Sequence, residues 1–303
     1  MNSKIYTNLY LFVLLIILCV GIFLSFTSGY GSDEDTLPMI GAFESMKGGD
    51  RIMASRFTPY PVAEIGIGFL SYYLGSWAAN LATFSFIVFG CLFFFLSLKN
   101  KYSLNELILF LILCLSSPIL FFDNIEPIDY SWAFFFLALG MFSLKKNFFE
   151  LAIIFFGISI GTRINFVLFV PFIIFFFSYR NPLNNHKKFI LFLCSFFVGG
   201  LFYLPIWFQH GFGLEWLTAV TPNNQGTLGL LARFFYKSIM SLTLITFIFI
   251  MFNFLKIFLK KSFFLKNNFS NNKLLYGIII SNLFLFFFIP AEISYLQPLL
   301  ISL

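Results

Sequence analysis

Apolar positions in this chain fall in long uninterrupted blocks, at 9–26, 61–75, 78–98, 104–122, 130–144, 148–161, 165–179, 189–208, 238–259 and 274–289. None alternates with a period of two, and most approach the length that crosses a bilayer. They therefore predict transmembrane helices and not barrel strands. Hydrocarbon leaves the backbone no water to bond with, so each crossing must close its own hydrogen bonds. The expected fold is all-α: a polytopic bundle of about nine to ten helices, read as one domain over 1–303. Several blocks are short, which implies helices sheltered by neighbours or a locally thinned bilayer. Block 61–75 is broken by Gly75-Ser76 and reads as a helix lying at or dipping into the interface. The last apolar stretch, 296–303, is too short to cross. It reads as a partial helix or as a truncation.

One segment breaks the pattern. Residues 29–64, "GYGSDEDTLPMIGAFESMKGGDRIMASRFTPYPVAE", hold six of the 13 acidic residues of a chain that is 59% hydrophobic. The first block precedes this island. It reads as an uncleaved anchor in preference to a signal peptide ending near Ser25-Phe26-Thr27, and either reading exports the island. Overall, 11% charged residues and a mean hydropathy of +0.90 contrast with about 25% charge in soluble proteins.

Charge then sets the orientation. With the N-terminus in the cytoplasm, the inner segments hold Lys4, Lys99, Lys101, Lys145, Lys146, Arg180, Lys187, Lys188 and the five lysines from 256 to 273. That is 13 of the 19 basic residues, as the positive-inside rule requires. The net charge of +6 is thus a topology signal, and nucleic acid is excluded as a partner. Acids show the opposite bias: only Glu106 and Glu150 fall inside, and the other 11 fall outside or at outer helix ends. The topology rule does not explain this, because acids contribute little to it. Cys19, Cys91, Cys114 and Cys194 lie within apolar blocks without CxxC spacing, as packing residues do. His186 and His210 fall in different loops, so no histidine metal site is visible.

Candidate chemistry concentrates in the island. "SDEDT" sets Asp33, Glu34 and Asp35 side by side beyond an apolar helix. Crowding like charges at a low-dielectric boundary raises at least one pKa and suits a general base; a solvated helix cap is the plainer reading. Leu37, Ile40, Phe43 and Met46 recur every three residues, predicting an amphipathic helix on the membrane surface that ends at Gly48-Gly49. Arg56, beside two stiffening prolines, stands where a guanidinium can fork onto a phosphate or snorkel to headgroups. Arg163 is bracketed by apolar runs. Unpaired burial would cost on the order of 3 kcal/mol, so it needs an anion, either a loop carboxylate or a donor phosphate.

These residues carry a resemblance. "SDEDT…GGD…SRFTPYPVAE" resembles the first outer loop of GT-C-type membrane glycosyltransferases, such as protein O-mannosyltransferases and the aminoarabinose transferase of lipid A. "SSPILFFDNIEPIDYSWAFF" is similar to their second outer loop, with Asp123, Glu126 and Asp129. "GISIGTRINFVLFVPF" is similar to their arginine-bearing turn at Arg163, and "PAEISYLQPLL" to a late Glu-x-x-Tyr-Leu-x-Pro element at Glu292 and Tyr295. The resemblance implies Asp33 as the base that activates the acceptor, with Asp35 the alternative in another register. It implies a substrate cavity lined by Arg56, Asp123, Glu126, Asp129, Arg163, Glu292 and Tyr295. Members usually continue through further helices and a soluble domain beyond the point where this sequence stops.

The expectation is therefore a multi-pass enzyme of the cell membrane, of bacterial inner-membrane type, with an extracytoplasmic active site. It would use a polyprenyl-phosphate-linked sugar donor within membrane lipid and a glycan, lipid or protein acceptor. No cofactor is assigned, although three adjacent acids have the chemistry to hold Mg²⁺. An envelope polysaccharide polymerase or ligase should show an arginine-rich late loop, and the 209–228 loop has no lysine or arginine. A transporter should show mid-membrane charges and inverted repeats.

Overall fold

The computed structural model describes residues 3–31, 36–48, 59–98, 102–117, 121–177 and 183–209, with 229, 232 and 236. The chain divides into two compact units, Met1–Ser116 with Leu120–Pro222, and Ser117–Ile119 with Asn223–Leu303. Of the described residues 88% are helical, and no strand occurs among them.

The first unit carries helices α1 (Ser3–Thr27), α2 (Thr36–Lys47), α3 (Pro61–Leu74), α4 (Ser76–Leu98) and α5 (Leu104–Leu115). A 3-10 turn at Asp123–Ile125 leads to α6 (Asp129–Lys145) and α7 (Phe149–Thr162). A broken stretch comes next, 3-10 at Ile164–Leu168, α8 at Phe169–Phe172 and π-helical at Ile173–Phe177, before α9 (Asn185–Gln209). Pro171 lies inside the break and supplies no backbone N–H, one physical reason for a change of helical pitch there.

Among the described residues, three helices are long and apolar enough to cross a membrane: Tyr6–Thr27 of α1, then α4 and α9. At 1.5 Å per residue, the 23 residues of α4 span about 34 Å, against about 30 Å of hydrocarbon. The 12 residues of α5 and 14 of α7 fall short of that thickness, and both pack within the bundle.

Helix contacts define two ends. At one, Thr7 Oγ1 near the start of α1 donates to Asn105 Oδ1 near the start of α5 at 2.7 Å, and Lys145 Nζ donates to Leu96 O. This basic end also carries Lys146. The opposite end gathers the C-termini of α1 and α7 with the N-termini of α3, α4 and α6. Its core is Met39, Tyr60, Ala63, Ile67, Ala79 and Trp132, with the Trp132 indole donating to Thr83 Oγ1 at 3.0 Å. Between α7 and α9, Gly157 and Gly199 let the backbones approach closely: a Cβ on either would lie 2.6 Å or less from a side-chain atom of the facing helix. Small residues serve this role between lipid-phase helices generally.

The amphipathic helix forms where expected, and a neighbouring stripe of it faces protein. Thr36, Met39 and Ala42 are buried, while Leu37 is 65% exposed. The cause is α3, whose Gly68 admits Phe43 and the Met39 carbonyl at close range. The helix therefore packs on protein through a stripe about one position from the 37/40/43/46 series.

Candidate functional site

The acidic end is built from helix termini. Asp129 opens α6, Glu64 lies in the first turn of α3, and Asp123 opens the 3-10 turn. At the basic end, Glu106 completes a capping box with Ser103, and Glu150 lies in the first turn of α7. A carboxylate near a helix N-terminus meets unpaired N–H groups and the positive end of the dipole. That local reason accounts for these five acids at either end. Glu126 lies in the irregular stretch between the 3-10 turn and α6, and helix capping does not account for it.

Arg163 finds its anion within the protein. Among the described residues its side chain is the largest of those fully buried. Nε lies 3.2 Å from Asp129 Oδ2, and Nη2 donates to the Tyr60 hydroxyl at 3.1 Å. The guanidinium carbon stands 3.2 Å from the Tyr130 ring centroid and 4.5 Å from that of Tyr60. Of the two anions left open by the sequence, a loop carboxylate occupies the position. Arg163 itself adopts an extended conformation, φ −146 and ψ 119, ending α7. Glu64, 2% exposed, accepts the Tyr60 N–H at 3.3 Å. Tyr203 of α9 donates to Ile160 O at 2.9 Å and is an electrostatic neighbour of Tyr60, Glu64, Arg163 and Asp129.

The end of α1, the start of α2 and the 123–128 turn meet here. Ser28 Oγ donates to Ile125 O at 3.1 Å, and Thr36 Oγ1 donates to Pro127 O at 3.2 Å. Gly31, at φ +76, lies so close to Glu126 that a Cβ would stand 2.2 Å from its carboxyl carbon. A side chain there would displace the Glu126 carboxyl and sit at a backbone angle that glycine adopts without strain. The residues flanking the acidic run, 31 and 36, are thus seated on the 125–127 turn.

Asp123, Glu126, Asp129 and Arg163 therefore share one end of the bundle. Asp33, Glu34, Asp35, Arg56, Glu292 and Tyr295 lie outside the described residues. Among the described residues, no three His, Cys, Asp or Glu side chains come together as metal ligands do. Sequence reasoning missed Asn80, Tyr60, Tyr130 and Tyr203. Asn80 carried a signal, since an amide among the apolar residues of 78–98 requires a hydrogen-bonding reason to be there.

Comparison with protein-family models, with curated proteins and with solved structures returns no match.

Proposed function

We propose that this chain is an integral membrane glycosyltransferase of GT-C type, transferring a sugar from a polyprenyl-phosphate donor to an acceptor at the acidic end of the bundle. That end faces away from the cytoplasm in this reading, because the opposite end holds the lysine excess. One observation supports it most: both flanks of the acidic run are anchored on the second acidic loop. In the sequence Asp33 is two residues from Gly31 and Asp35 one from Thr36, so the acidic run joins two anchors that rest on the same turn.

The chemistry derives from a donor fixed in lipid with its sugar at headgroup depth. An Asp33 carboxylate takes the proton of an acceptor hydroxyl, with Asp35 the alternative base. The hydroxyl oxygen bonds to the anomeric carbon while the bond from that carbon to the phosphate oxygen breaks. The lipid phosphate leaves with the electron pair, and a cation stabilises it. Arg163 is engaged by Asp129 and two tyrosine rings, so this reading gives the phosphate to Arg56. Asp123 and Glu126 would contact the sugar or the acceptor, and the resemblance alone gives Glu292 and Tyr295 a substrate-contacting role. Inversion at the anomeric carbon is what the resemblance implies.

A carrier is the competing reading that one observation favours, since a buried guanidinium sits at a helix break. The sequence argues against it, since a carrier should show inverted repeats and none is visible.

The test is transfer from radiolabelled polyprenyl-phosphate sugars in membranes carrying the parent protein, Asp33→Asn or Asp35→Asn. Loss of transfer in one of the two variants, at equal protein level, supports the assignment. Full activity in both contradicts it.

A further inference from the structure

We propose that Asn80 is a positioning residue that registers the end of α1, from which the acidic run continues in sequence, against the 123–128 turn; the proposal rests on the transferase reading for its consequence, though not for its geometry. Asn80 is fully buried in α4, and a buried amide is costly unless bonded. Its Nδ2 reaches three oxygens at the end of α1: Ser25 O at 3.1 Å, Ser28 Oγ at 3.1 Å and Gly29 O at 2.6 Å. An amide nitrogen has two hydrogens, so at least one is shared.

The last carbonyls of a helix lack partners within it, and lipid offers none. Asn80 supplies donors that α1 cannot. The contact does not stop there, because the Ser28 hydroxyl that accepts from Asn80 itself donates to Ile125 O. One amide therefore registers α1 against both α4 and the turn at 123–128. The chain beyond is tightly determined: Gly31 N donates to Ser28 O at 3.3 Å, Gly29 and Gly31 hold positive φ, and Gly31 abuts Glu126. A displacement at Asn80 thus passes to Gly31, the last described residue before the acidic run of the sequence, while Thr36, which follows the run, is bonded to Pro127.

This predicts an effect on turnover without an effect on donor binding, since the hydrogen bonds of Asn80 go to the end of α1 and not to the arginine or the tyrosines. The variants are Asn80→Leu, of similar volume without donors, and Asn80→Asp, which donates one hydrogen bond only when its carboxyl is protonated. Double electron–electron resonance distances are read between spin labels at Tyr30→Cys and Phe122→Cys, with the native cysteines replaced by serine.

The parent should give one narrow distance, and Asn80→Leu a broadened or displaced one. In the transfer assay, Asn80→Leu should lower kcat at least tenfold with donor KM unchanged, and Asn80→Asp should regain activity as pH falls. An unaltered distance in folded Asn80→Leu overturns the proposal. So does Asn80→Asp with the parent's pH profile and full kcat. If the parent itself transfers no sugar, the transferase reading fails, and the distance measurement still decides whether Asn80 sets the register.

Discussion

Arg163 Nε and Asp129 Oδ2 lie 3.2 Å apart, joining the end of α7 to the start of α6 where neither side chain meets solvent. A buried pair of this kind is costly to break and less costly to replace whole, because removing one partner strands the other's charge. Arg163→Ala and Asp129→Asn should each destabilise the protein by about 3–5 kcal/mol. The double variant Arg163→Leu/Asp129→Leu should cost far less than the sum. Arg163→Lys should recover only part, lacking the planar fork and the stacking on Tyr130 and Tyr60. Thermal unfolding in detergent measures all four.

Glu64 should behave differently from Asp129. Both are buried, but Asp129 is in ionic contact with the guanidinium, while Glu64 accepts the Tyr60 N–H. A neutral amide can also accept that bond. Glu64→Gln, which keeps an acceptor for that N–H, should therefore cost less than Glu64→Leu, which has none. The same unfolding experiment compares both with Asp129→Asn.

Gly31→Ala meets two obstacles, a backbone at φ +76 and the Glu126 carboxyl. The first costs about 1 kcal/mol for a residue with a Cβ, and the steric overlap adds to it. Adding Glu126→Gly should restore the steric part and leave the backbone part. A melting temperature that Gly31→Ala leaves unchanged would contradict the seating of the two loops.

Lys47 donates to the Tyr72 hydroxyl at 2.6 Å and stands 4.0 Å from the centroid of that ring. The hydrogen bond with Tyr72 raises the ammonium pKa above its ordinary value, ahead of smaller Coulombic contributions from Tyr72 and Tyr73 and against a modest desolvation effect. Because the folded-state value is raised, the stabilisation is present below the unfolded pKa. It is lost as pH climbs through the folded one. Tyr72→Phe should lower the Lys47 pKa, read by carbon resonances of the dimethylated amine.

Helix positions were legible because block length and apolarity are local properties. The 78–98 block became Ser76–Leu98, and the 61–75 block became Pro61–Leu74, ending just before the predicted break. The 165–179 block was not legible as a broken element: its apolar run is continuous, and only Pro171 hints at the change of pitch. The gathering of Asp123, Glu126, Asp129 and Arg163 at one end came from counting crossings. Which anion Arg163 would meet did not, since several carboxylates share that end and only packing selects Asp129. The stripe of α2 that packs on protein was not legible, because period-three spacing fits two adjacent stripes, and Gly68 on α3 makes the choice.

The proposed transferase requires the acidic end of the bundle to face away from the cytoplasm. In a cysteine-free background, single cysteines at Glu44 and His186, both exposed, report the two ends to a membrane-impermeant maleimide applied to intact cells. An outward acidic end predicts labelling of Glu44→Cys and protection of His186→Cys until the cells are opened. Labelling of His186→Cys with protection of Glu44→Cys would contradict it.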